Sequence, residues 1–350
     1  MVAHYYLGAN SYYGFRSLYD KFVTEDDTLF IIKGSPGSGK STFMKKLAQA
    51  LISEGADAEI IHCSGDPDSL DGVYFPQLHI AYVDGTAPHV IEPVLAGVTA
   101  NYLNFGDAID MEGLRKCAGV IHEYSSLYKA QYVKAYNALN AARCVIDGVG
   151  NEISDDTREV VIKRAMTLCK SIIDTKNGIG NVKKRFIDGL TCRGWEHRYD
   201  TVSALTDTVY IVDTASGLNR LFIDTVSDYA VSHGQSVILC CDTLSPQDTA
   251  HLIIPDVSAA IISRYSDDLP QWNARAVRLD AIQQNISDDT AERLKRRHRM
   301  HNELIDEGQR YLEKAKSYHD RLESIYRPYI DFSVLDRLYE KHRDYLLKKL

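Results

Sequence analysis

The sequence has no excess of positive charge. Its 350 residues carry 40 Lys and Arg against 48 Asp and Glu, a formal net charge of −8. Bulk binding to nucleic acid or an anionic membrane needs surplus cations, so the balance argues against both as partners. No apolar run approaches the roughly 18 residues that span a bilayer. The start, "MVAHYYLGANSYYGF", has neither the basic head nor the apolar stretch of a secretion signal. Cysteine is sparse: seven residues, an odd number without a CxxC pair, which points to reduced thiols and a cytoplasmic setting. Cys240 and Cys241 lie in an apolar run and read as buried strand residues. The chain is too long for one small core and implies two or more units.

Against these absences stands one dense motif, "IIKGSPGSGKSTFMKKL" (31–47). Gly34, Gly39, Lys40 and Ser41 fit G-x-x-x-x-G-K-[ST], after an apolar run and before residues at helical spacing. Glycines allow backbone N–H groups to turn inward around phosphates, and the helix N-terminus adds partial positive charge. The loop residues Gly34, Ser35, Pro36, Gly37, Ser38, Gly39, Lys40, Ser41 and Thr42 are therefore candidate nucleotide-phosphate contacts. Lys40 would bridge the β- and γ-phosphates, Ser41 would hold Mg2+, and Thr42 would lie near the α-phosphate.

Such a site also needs a carboxylate at the end of a neighbouring strand. "LHIAYVDG" supplies Asp84, expected in the Mg2+ shell directly or through water. Gly85 follows it instead of the Glu that polarises water in motor ATPases, and an N-K-x-D guanine motif is also missing. The stretch "EIIHCSGDPDSLDG" reads as a strand followed by a loop holding Asp66, Asp68 and Asp71. Strand ends collect ligands in open α/β sheets, so Asp66 or Asp68 is a candidate base or acceptor clamp. Ordinary turn chemistry explains the same residues equally well.

The chain repeats itself. "GFRSLYDKFVTEDDTLFIIKG" aligns with "GWEHRYDTVSALTDTVYIVDT" without a gap, and the match covers about 90 residues in each half. Continued without a gap, it replaces Gly34 by Thr214, Gly39 by Asn219, Lys40 by Arg220 and Ser41 by Leu221; further on, Asp84 becomes Ser263. The second copy is expected to keep its fold and lose its phosphate chemistry. Arg220 and Arg264 raise the question of a cation lent to the first copy.

Each copy is followed by helical sequence. Small or apolar residues from Leu114 to Val149 form one seam, which implies a helix of about 36 residues and roughly 54 Å. A second helix, from about Asp155 to Thr175, is expected to fold back on it. The C-terminal tail repeats the pattern around Pro328. The expected division is 1–100 a phosphate-loop unit, 101–185 a helical hairpin, 186–275 a degenerate unit, and 276–350 a second hairpin. The class is α/β: duplicated P-loop NTPase units with mainly parallel sheets, each followed by a long α-helical hairpin. Two basic clusters, "VKKRF" (182–186) and "RLKRRHR" (293–299), read as solvated surface, and the 22 tyrosines as packing residues.

Together "KGSPGSGKSTFMKKL", "HCSGDPDSLDGV" and "IAYVDGTAPH" resemble a little-characterised bacterial family of tandem P-loop ATPases, often labelled nucleotide-kinase-like. The resemblance implies ATP as the nucleotide, a duplicated architecture, and Asp84 as acidic partner of the loop. Members commonly keep a recognisable loop in both halves, from which this sequence departs. The expected activity is Mg-ATP binding with hydrolysis in the first half. The alternatives are a small-molecule or nucleotide kinase using Asp66 or Asp68, and a nucleotide-gated protein that moves its helical arms against a protein partner.

Overall fold

The structure, a computed structural model, describes all residues except 88–90, 93–96, 148–153, 214–216, 265–268 and 280–287. The first half comprises β1 (Val2–Tyr6), β2 (Gly8–Ser11), β3 (Gly14–Ser17), β4 (Thr28–Lys33), α1 (Lys40–Ser53), β5 (Ala58–His62), β6 (Leu70–Phe75), β7 (Ile80–Asp84) and β8 (Ala100–Asn104). Then come α2 (Met111–Arg115), α3 (Ala118–Ile146) and α4 (Asp155–Ile172). The second half holds β9 (Val182–Arg185), β10 (Asp188–Thr191), β11 (Gly194–His197), α5 (Tyr199–Leu205), β12 (Thr208–Asp213), α6 (Leu218–Ser232), β13 (Val237–Cys241), β14 (Thr249–Ile254), β15 (Ala259–Ser263) and β16 (Ala274–Arg278). Helices α7 (Asp288–Tyr326) and α8 (Phe332–Leu347) end the chain.

Two six-stranded sheets carry the α/β fold, in the orders β1-β5-β6-β7-β4-β8 and β9-β13-β14-β15-β12-β16. The orders are the same strand for strand. Within the first sheet β1–β5, β7–β4 and β4–β8 run parallel, and β6 opposes both neighbours. The second sheet repeats this, with β14 reversed. Strand β6 departs from the expected loop. Asp71 and Gly72 look like turn formers, yet Asp71 is 4% exposed and accepts the Tyr19 hydroxyl at 3.0 Å.

The inner faces of the sheets share one core, in which Tyr5, Ile31, Ile61 and Val83 meet Ile187, Val209, Ile238 and Ile262. Edge strands join where Tyr6 N–H donates to Phe186 O at 2.8 Å and Phe186 N–H returns to Tyr6 O at 3.1 Å. Glu59 receives Arg185 at 2.9 Å and Lys183 at 2.5 Å. The "VKKRF" cluster is thus an inter-half strand, not a solvated helix, because Arg185 is fully buried against Glu59. Cys240 and Cys241 are buried strand residues, as expected.

The helices pair differently from the expected hairpins. A short break at Lys116 and Cys117 separates α2 from α3, so the long helix starts later than expected; its expected end at Val149 lies outside the described residues. Helix α3 runs antiparallel to α7, with Tyr124 near Tyr318 and Leu139 near Gly308, so it does not fold back along α4. Helix α4 covers the outer face of the second sheet through Val161, Ala165 and Cys169. Helix α8 covers the first through Leu335 and Leu346. Each buried Leu side chain contributes about 1.5–3 kcal/mol. The arm that follows each sheet therefore completes the other one. No described helix is long and apolar enough to cross a membrane.

His342 of α8 sits in this contact, its Nδ1 2.9 Å from the Tyr82 hydroxyl and its ring edge-on to Phe30. Burial, with a smaller push from Lys341, lowers its pKa to about 4, so the folded ring is neutral. An unfolded histidine titrates near 6.5. The stabilisation is complete above about pH 6.5 and is lost as pH falls towards 4, because only the unfolded chain takes up the proton. The urea midpoint is expected to fall between pH 7 and pH 5, and to fall less in His342→Phe. Equal drops in both proteins would contradict this.

Candidate functional site

The candidate loop runs from β4 into α1. The buried face of α1 (Phe43, Met44, Leu47, Ala48, Leu51) fixes the helix on the sheet, so its N-terminal amides point into the loop. Gly37 and Gly39 have φ of 70° and 83°, the left-handed region where a Cβ is strained. A Cβ on Gly34 would come within 2.6 Å of Ser38 Oγ. Ser38 closes the turn, its Oγ donating to Ser35 O at 2.8 Å. The Ser35 hydroxyl is buried without a protein partner, a polar atom left over for a ligand. Pro36 continues the turn, and Thr42 is exposed on the first turn of α1.

Lys40 folds back over the loop. Its Nζ donates to Ser35 O at 3.0 Å and Gly34 O at 3.3 Å and lies 3.6 Å from Asp84 Oδ2. Asp84 ends β7, adjacent to β4, where Thr86 N–H and Oγ1 hold its other oxygen at 2.8 and 2.6 Å. Ser41 Oγ accepts the Leu70 N–H at 2.9 Å, which moors the acidic loop to the start of α1. Ser41 and Asp84 offer hard oxygen donors of the kind that suit Mg2+.

The three loop acids part ways. Asp66 accepts Ser69 Oγ at 2.9 Å and faces Lys316 at 3.4 Å. His62 steadies this loop from the end of β5 with its Nδ1 3.2 Å from Pro67 O, and burial pushes its pKa down to about 3. Asp68 points outward, 78% exposed, and pairs with Arg193 of the second half. Asp71 belongs to β6, as described above. Tyr132 and Tyr136 of α3 pack beside the site, with the Tyr136 hydroxyl donating to Asn10 at 3.0 Å.

One contributor has no counterpart in the motif reading. The end of α7 and the start of α8 lie across the loop: a Cβ on Gly37 would sit 3.1 Å from Glu323 O of α7, and one on Gly39 would sit 3.7 Å from Phe332 of α8. The ligand atoms of His319, Asp320 and Glu323 converge within 4.8 Å of one another there. Lys316 and His319 also line a cavity of about 70 Å3 with Asn10, Asp66, Tyr128 and Tyr132. These residues have ordinary helical spacing, so no local signal marks them.

The second half corrects the ungapped alignment. Buried residues of α6 (Phe222, Ile223, Val226, Ser227, Ala230) match Phe43, Met44, Leu47, Ala48 and Leu51 of α1. This register places Asn219 at the position of Lys40 and Arg220 at that of Ser41. The missing residue is in the loop itself, where helix packing tolerates it. Asn219 Nδ2 donates to Ser263 Oγ at 2.9 Å, repeating the Lys40–Asp84 contact with neutral groups. Arg220 is engaged by Asp224 and Asp248 within its own half. Thr214 lies outside the described residues.

Gly37→Ala is expected to lower stability by about 1–2 kcal/mol in denaturant titration, since the methyl needs left-handed backbone and meets Glu323. A midpoint at or above that of the wild type would show that the loop and α7 are not in contact. No family model, curated protein or solved structure matches this chain.

Proposed function

We propose that the first half binds Mg-ATP and hydrolyses it, and that the second half is a structural pseudo-site. The observation that carries this is a set of groups brought together in one place: left-handed glycines, the orphaned Ser35 hydroxyl, and Lys40 held 3.6 Å from Asp84. Lys40 and the loop N–H groups would bind the β- and γ-phosphates and offset charge on the transferred group. Ser41 and Asp84 would hold Mg2+, whose charge, when bound, offsets that of the same phosphates. In the reaction a water oxygen bonds to the γ-phosphorus while its bond to the bridging oxygen breaks. The electron pair leaves with ADP, and the water proton passes to solvent. The reading agrees with the resemblance to tandem P-loop ATPases.

Water is the acceptor in this reading. The cavity beside Asp66 is about 70 Å3, whereas small-molecule pockets run to about 300–1,000 Å3. A volume of that size has room for water.

Phosphate release from Mg-ATP, followed with phosphorus NMR in a pooled metabolite extract, tests the assignment. Lys40→Ala should lose at least about ten- to hundredfold of the rate, the value of one charge-assisted contact. A new phosphorylated species dependent on Lys40 would establish the kinase instead. Equal phosphate release by wild type and Lys40→Ala would overturn both.

A further inference from the structure

The C-terminal arm reaches both sides of the candidate phosphate site. Between Lys316 and Glu323 α7 advances about 10 Å. At one end Lys316 Nζ lies 3.4 Å from Asp66 Oδ2, on the loop that Leu70 fastens to Ser41. At the other, the Glu323 backbone meets the crest of the loop at Gly37. A terminal phosphate held by a loop of this kind lies between crest, lysine and hydroxyl, so it faces this stretch of α7.

Lys316 is the fixed cation among the residues lining the cavity beside Asp66. Although burial acts to lower its pKa, Asp320 and Asp66 raise it, and the ammonium stays protonated. His319, one turn on, has its pKa lowered mainly by burial, with Lys316 and Lys40 among the charges that add to this. The Lys316 side chain is 25% exposed, and its flexible four-carbon stem lets the ammonium relocate. Arg220 is committed to its own half.

Resting on the ATP reading, we propose that Lys316 is a further catalytic residue: it leaves Asp66 for the γ-phosphoryl group and supplies, from the second half's arm, the cation that stabilises charge there. The role is that of an arginine finger given in cis. The same move uncovers the Asp66 carboxylate towards the cavity, where the attacking water would lie. Turnover thereby requires the first half's loop and the second half's arm to be docked together.

The test compares calorimetric binding of Mg-ADP with that of Mg-ADP plus aluminium fluoride, a planar mimic of the transferred group. It uses the full-length wild type, Lys316→Ala, Lys316→Arg and Lys40→Ala. Lys316→Ala should bind ADP as the wild type does and lose about ten- to thousandfold of the tightening by fluoride. Lys316→Arg should keep most of that tightening. In steady state, kcat should fall in Lys316→Ala with little change in KM. Full tightening in Lys316→Ala overturns the inference while leaving the ATP site intact. Equal weakening of ADP and its fluoride complex also overturns it, as a merely structural role. Absence of Lys40-dependent ADP binding in the wild type overturns the ATP reading, and this inference with it.

Discussion

One reversed strand in each sheet sets much of the architecture. Parallel neighbours need crossover connections, usually helices, whereas antiparallel neighbours are joined by short turns. Because β6 opposes both β5 and β7, two connections become loops, and α1 is left as the first half's own cover on the outer face. A half-covered sheet would leave Phe30, Tyr82 and Leu103 in water. Helix α8 fills that space, and α4 does the same for the second sheet. The exchanged arms follow from the missing crossover helices.

Docking α8 on the first sheet has a chemical consequence. It carries the end of α7 to the mouth of the glycine-rich loop, because only a short turn around Pro328 separates the two helices. The antiparallel pairing of α3 with α7 then spans both halves, with Tyr12, Leu190 and Leu244 beneath it. Glu323 against Gly37 and Lys316 against Asp66 are products of that long-range geometry. The candidate site therefore draws on both halves, although its glycine-rich loop, Lys40 and Asp84 come from one.

The second half places neutral groups where the first has Lys40 and Asp84. Asn219 donates to Ser263, the Ser263 N–H faces His251 Nδ1 at 3.1 Å, and Asp188 lies 2.6 Å from both His251 and His197. Burial alone would raise the Asp188 pKa, but His251 and His197 hold it well below the usual carboxylate range. First-half positions matching Ser263, His251 and Asp188 hold Asp84, Gly72 and Gly8. This chain of buried hydrogen bonds favours one rigid arrangement.

Strand–loop–helix around Gly34 to Ser41, Asp84 at a strand end, the repeat and the helix ends near Pro328 are legible in the sequence because each depends on contiguous residues. Glycine spacing dictates backbone shape, and apolar periodicity dictates which face is buried. The one-residue loop deletion is hidden in the sequence because the flanking residues read plausibly in either register; only the buried face of α6 fixes it. Strand β6 was hidden because Asp71 and Gly72 suit turns locally, while the sheet supplies Tyr19 and neighbouring strands. Lys316, His319 and Glu323 gain meaning only through pairing between segments far apart in the chain. Sequence determined what each segment could become. Tertiary structure decided which distant segment would cover it, since that choice depends on the apolar area left open after every local element has formed.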